Sequence, residues 1–340
     1  MIFMSKRILA AACAAATALA LSACSSAPSS EGNASKDGTL TVMASFYPLQ
    51  YLAEKIGGEH VTVTSLTPAG AEPHDLELSP KTVDALASAD AVVYLAGFQA
   101  AVDEAIEQQA PTTVIDVSPA VELVEANSSA NHPSEDEDAD EAQSGESATE
   151  EHADHDHEGH DHEGHHHDMS ADPHFWLDPV RMASAATLVG DKLAEADPAN
   201  ADTYKANAKA LNEELSALGD DLVAKTATCQ IKTFVTAHTA FGYLADRTGL
   251  TQVGISGLDP DSSPSPARLA EISQIAKDQG VTTIFTEALI DPKVAQTLAD
   301  DLGISTAVLD PIESQTDSSK DYAAVMKDNI TALTTANNCQ

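Results

Sequence analysis

The chain has 340 residues, 43% of them hydrophobic and 21% charged, and a formal net charge of −37. That length supports two modest domains with real cores. So acidic a chain repels phosphate backbones and anionic lipid headgroups and concentrates cations, which excludes a nucleic-acid partner and makes cations the ligand class to consider.

Lys6 and Arg7 precede an apolar, alanine-rich run at 8–21 that is too short to span a bilayer comfortably, the pattern of an export signal. It ends in Leu21-Ser22-Ala23-Cys24, which resembles the bacterial lipobox, whose cysteine is acylated and becomes the first residue of the mature protein. Residues 1–23 are therefore expected to be a signal peptide, with Cys24 the lipid anchor to the cell membrane. The Ser/Ala/Pro/Gly-rich stretch at 24–38 is expected to be a flexible tether.

TLTVMAS (39–45) and VTVTSLTP (61–68) are β-branched runs, and YPLQYLAEKIG between them has helical spacing. DAVVYLAG (90–97) and TTVIDVS (112–118) add two short strands, each after a helix-like segment. From KTFVTAH onward the same rhythm returns: TQVGISG, VTTIFTE and ISTAVLDP alternate with helical runs. Such alternation predicts an α/β fold of two lobes with parallel sheets covered by helices. Between the lobes, 178–227 is nearly strand-free, and a long helix is expected from Pro198 over about seven turns.

The 127–170 segment belongs to neither lobe. It holds nine of the thirteen histidines, fifteen acids and no Lys or Arg, so it cannot bury a core and is expected to be disordered when metal-free. His152, His155, His157, His160, His162, His165, His166 and His167 make it a candidate auxiliary metal loop.

Of the four remaining histidines, three stand where loops leave strand ends or enter helices, the usual place for ligands in α/β sheets. These are His74 in PHDLELSP, His174 in DPHFWLDP and His238 at the end of KTFVTAH; His60 has no such context. Asp310, ending the last strand in STAVLDP, is the carboxylate candidate for a fourth ligand. Imidazoles with one carboxylate suit zinc. Glu287 in FTEAL is a candidate to orient a histidine. Cys229 and Cys339, the two cysteines beyond the signal and the lipidation site, are expected to pair outside the cytoplasm.

The lipobox, PHDLELSP, DPHFWLDP, HTAFGYLADRTGL, SPSPARLAEI, FTEAL and the late LDP, in that order, resemble the metal-binding lipoproteins of ABC-type metal importers, in the zinc-specific branch of the cluster A-I family. The resemblance implies two (β/α) lobes at 39–180 and 229–340, linking helices at 181–228 that include one long rigid helix, and a metal cleft between the lobes. It implies His74, His174, His238 and Asp310 as ligands. His238 stands where manganese-type relatives carry Glu, which points to zinc. The implied partners are a membrane permease and its ATPase, with the chain a monomer and not an enzyme. A manganese or iron homologue, an adhesin of the same fold and an exported zinc hydrolase are the alternatives. Two stretches depart from the family pattern, Gly97-Phe98-Gln99 and DPDSSPSP (259–266), and both are expected to touch a rim and a loop rather than the ligands.

Overall fold

The computed structural model describes residues 39–126 and 171–340. The expected signal peptide, Cys24, the tether and the histidine-rich 127–170 segment lie outside the described residues. Among those described, no helix is long and apolar enough to cross a membrane.

The first sheet contains β1 (Leu40–Ala44), β2 (Val61–Ser65), β3 (Ala91–Tyr94) and β4 (Val114–Asp116), all parallel, in the order β2-β1-β3-β4. The second contains β5 (Thr233–Thr236), β6 (Thr251–Gly254), β7 (Thr283–Thr286) and β8 (Ser305–Val308), again all parallel, in the equivalent order β6-β5-β7-β8. Burial follows position in the sheet. Central strands such as β3 and β5 are unbroken apolar or β-branched runs with nearly every residue buried, as a parallel strand covered on both faces requires. The edge strands β2 and β8 expose alternate or most residues.

In each sheet the strand order reverses beside the first strand, between β1 and β3 and between β5 and β7. A crevice opens outside the carboxyl ends of parallel strands at such a point. The helices α1 (Tyr47–Gly57), α2 (Pro80–Leu86), α3 (Ala100–Gln109) and α4 (Ser118–Val121) belong to the first half. The second half carries α7 (Gly242–Thr248), α8 (Pro266–Asp278), α9 (Lys293–Leu302) and α10 (Tyr322–Ala336).

Two long helices stand between them, α5 (Pro179–Ala196) and α6 (Ala201–Thr226). Pro179 occupies the first turn of α5, and the Asp178 carboxylate caps it by accepting the Val180 amide at 3.0 Å. The long helix expected from Pro198 begins at Ala201, because Asp197 gathers the Asn200 and Tyr204 side chains into a turn ahead of it. Its 26 residues extend about 39 Å, touching α1 of the first half and α7 and α10 of the second. It packs against α5 at glycines: a Cβ on Gly190 would stand 2.3 Å from Ala208 Cβ, and one on Gly219 would stand 2.7 Å from Val180 Cγ2.

The sulfurs of Cys229 and Cys339 meet at bonding distance across 110 positions. The Gln230 and Ile231 amides donate to the Asn338 and Asn337 carbonyls alongside. The end of the chain is thus laid against the entry to β5.

Candidate metal centre

His74 sits on the loop between β2 and α2. Its amide donates to Glu72 Oε2 at 2.9 Å. The preceding carbonyl, that of Pro73, accepts from Gln99 Nε2 at 3.1 Å, and Gln99 Nε2 also reaches Thr67 Oγ1 at 3.0 Å. Phe98 stacks edge-on against the imidazole with centroids 4.8 Å apart. Phe98 and Gln99, expected at the rim, therefore buttress a ligand loop: both are buried, at 5% and 2% exposure.

His174 lies just before a 3₁₀ turn at Phe175–Leu177 and is fully buried. Asp172 Oδ1 accepts both its amide, at 3.0 Å, and its ring Nδ1, at 2.8 Å. His238 follows β5, and Glu287, which follows the neighbouring β7, accepts from its amide at 3.1 Å and from its Nδ1 at 2.8 Å. Thr236 Oγ1 and Gln252 Nε2 hold the His238 carbonyl from below. Glu287 thus bonds both the main chain and the ring of His238. A carboxylate can only accept, so Nδ1 of both rings carries a proton and Nε2 is the nitrogen that presents a lone pair once its ring is neutral.

The carboxylate brought to the three imidazoles is Glu313, not Asp310, whose side chain is occupied in building the turn. Asp310 Oδ1 accepts the Ile312 amide at 2.8 Å, and Asn329 pairs with both the Asp310 amide and its carbonyl. The Pro311 carbonyl accepts Trp176 Nε1 at 2.7 Å. Ile312 is then forced to φ 58, a left-handed conformation rarely adopted by a β-branched residue. That turn swings Glu313, 3% exposed, into the cleft.

Glu313 Oε1 stands 3.2 Å from His174 Nε2, 3.4 Å from His238 Nε2 and 3.5 Å from His74 Nε2. His174 and His238 Nε2 are 3.4 Å apart, and the four ligand atoms lie within 4.8 Å of one another. The buried Glu313 Oε1 and His74 Nε2 are not aligned with any hydrogen-bond partner. Zinc–nitrogen bonds of about 2.0–2.1 Å set neighbouring vertices of a tetrahedron about 3.3 Å apart. Most of the separations fall near that edge length. Three imidazoles and one carboxylate in a closed tetrahedron fit zinc better than the oxygen-rich shells of harder cations.

The electrostatics point the same way. Burial would keep the Glu313 carboxyl neutral, yet the three imidazoles hold it well below the carboxylate range. Burial also disfavours charge on His238, but Glu287 and Glu313 together push it up to about 10. His174 is raised by Asp172 and Glu313 against the same opposition. Burial lowers His74, which has only Glu313 to oppose it. Glu72, behind the His74 loop, is pushed up to about 8 by burial and by Glu313.

Sequence reasoning brought three of the four converging side chains together and missed Glu313. The available signal was the Asp-Pro pair that turns the chain after β8, with an acid two residues beyond it. Asp172 was also missed, although an Asp two residues before a His can accept that residue's amide in an Asx-type turn.

The zinc-uptake complex component A (periplasmic) family, ZnuA, matches residues 42–336. The high-affinity zinc uptake system protein ZnuA of Bacillus subtilis is 33% identical over 327 residues, 94% of each chain. The zinc-binding lipoprotein AdcA of Streptococcus pneumoniae is 35% identical over 304 residues, 87% of this chain. The chain spans 56% of the length of that relative. The crystal structure of the Zn(II)-bound ZnuA-like domain of the same AdcA superposes with a TM-score of 0.68 at 29% identity, covering 88% of this chain and all of that one. With nearly every described residue inside the match and a four-donor centre in its cleft, the chain belongs to the ZnuA family.

Proposed function

We propose that this protein captures zinc outside the cytoplasm and passes it to an ATP-driven membrane importer. The observation that carries the reading is the convergence of His74, His174, His238 and Glu313 at tetrahedral edge distances in a buried cleft. The relatives named for zinc uptake and zinc binding support it. Four protein donors complete the coordination shell, as suits a carrier; a hydrolytic zinc needs a vertex for water.

Anchoring through Cys24 belongs to the same proposal and is supported by the lipobox and by the lipoprotein relative. So do a disulfide between Cys229 and Cys339, a monomeric state, and a role for the 127–170 histidines in gathering zinc near the cleft. Metal analysis and competition titration of the chain from Ser25, with and without 127–170, test the reading. One tightly held zinc that survives the deletion supports it. No stoichiometric zinc after the deletion means that the cleft is not the site.

A further inference from the structure

Tyr243 stands in α7, five residues after His238, with its side chain buried at 2% exposure. Its hydroxyl donates to the Asp172 carbonyl at 2.7 Å and accepts the Val124 amide at 2.9 Å. Val124 and Asp172 are the residues between which the chain departs and returns around 127–170. They are joined to each other by the Asp172 amide on the Val124 carbonyl at 2.9 Å, and next to them Glu125 and Ala171 form an antiparallel bridge. One hydroxyl thereby satisfies a main-chain group on each side of this neck. Only a group that both donates and accepts can do so, and burial keeps the phenol protonated. Arg181 lies over the ring at 4.9 Å and donates to the Val121 and Glu122 carbonyls just before the neck.

Asp172 is the residue that orients His174, through its Oδ1 on both the amide and Nδ1. Its own amide and carbonyl are held by Val124 and Tyr243. The position of the His174 imidazole is therefore set by a bond from the opposite half of the molecule, made by the same short segment that carries His238.

Resting on the reading of the cluster as a zinc site, we propose that Tyr243 is a positioning residue of the metal centre. Its hydroxyl clamps the 124/172 neck to α7 and so keeps His174 in register with His238. Outer hydrogen-bond partners of metal ligands characteristically change affinity by about 10–100-fold.

The test is Tyr243→Phe in the mature full-length protein, which keeps the ring and removes the hydroxyl. The expected result is a zinc Kd raised about tenfold or more, together with a shifted His174 Nδ1 resonance in ¹⁵N NMR of the metal-free protein. Tyr204→Phe removes another buried hydroxyl bond, to Asp197 at the start of α6, and is expected to leave both readouts at wild-type values. In combination with Asp172→Asn, Tyr243→Phe is expected to add little, since both act on one imidazole. A Tyr243→Phe protein with wild-type zinc affinity and an unmoved His174 signal, even if less heat-stable, overturns the proposal, as does full additivity with Asp172→Asn. If the wild-type protein binds no zinc, it is the reading of the cluster that fails, and the metal-free His174 signal still decides for or against Tyr243.

Discussion

His174 and His238 meet Nε2 to Nε2 at 3.4 Å, each with its Nδ1 tied to a carboxylate. Once deprotonated, two imidazoles so held turn lone pairs toward each other, with Glu313 Oε1 adding a third. Only a cation or a proton relieves that arrangement, so zinc and protons compete for the same point.

The competition has a defined pH dependence. His238 is pushed up to about 10 and His174 is also raised, so the metal-free cluster holds a proton on His238 at neutral pH that zinc must displace. Zinc affinity is expected to rise with pH by about one decade per unit between pH 6 and 8. It should keep rising above 7.5 rather than level off near the ordinary imidazole range. Competition titrations at several pH values check this, and proton release on binding, read in two buffers of different ionisation heat, checks it independently.

The same shift bears on stability. A folded-state pKa raised above the unfolded value stabilises the metal-free protein fully below about 6.5, and this contribution is lost as pH climbs toward 10. The rise in Tm on adding zinc should therefore be larger at pH 8 than at pH 6. Thermal melts with and without zinc at both values measure it; an equal rise would show that His238 is not charged in the metal-free fold.

Glu313→Gln should weaken zinc binding by about 100-fold or more, since it removes the anionic donor of the buried cluster among the described residues. Asp310→Asn keeps an oxygen for the Ile312 amide and should cost less than about tenfold. Titration of the two variants side by side decides which carboxylate is the ligand.

Trp176 is the chain's single tryptophan, fully buried, with its ring centroid 5.2 Å from that of His174 and its Nε1 on the Pro311 carbonyl. Zinc binding should change its emission without a shift toward the wavelength of exposed indole. A stoichiometric fluorescence titration reports site filling directly, and a Glu313→Gln protein should need far more zinc to reach the same endpoint.

Cys229→Ser should lower unfolding free energy by about 4 kcal/mol in the chain-entropy account, given the 110-residue separation. Zinc affinity should stay within about threefold, because the pair belongs to the chain end and not to the cleft. Denaturant titration with and without reductant gives the first number, and competition titration the second.

The repeating β/α order, the paired lobes and the long helix were legible because buried strands and amphipathic helices write their period into the chain. His74, His174, His238 and Glu287 were legible because each lies beside a strand end or a proline-bounded turn. Glu313 was not, since its position depends on a left-handed Ile312 and on bonds from Asn329 and Trp176, residues distant in sequence. Asp310 drew the eye as the strand-end acid and proved to be the scaffold of the turn. Gln99 and Phe98 were misplaced at the rim for the same reason: what they support, the loop at Pro73 and His74, comes near them only in the folded chain.

Ile312 gives the centre an asymmetry in mechanical terms. The imidazoles of His174 and His238 are braced by carboxylates, whereas Glu313 follows a residue held in a conformation that costs about 1–3 kcal/mol. Asn329 and Trp176 keep that spring wound. Loosening either bond is expected to relax the turn that carries Glu313, and about 1–3 kcal/mol corresponds to about 5- to 150-fold in affinity for the ion.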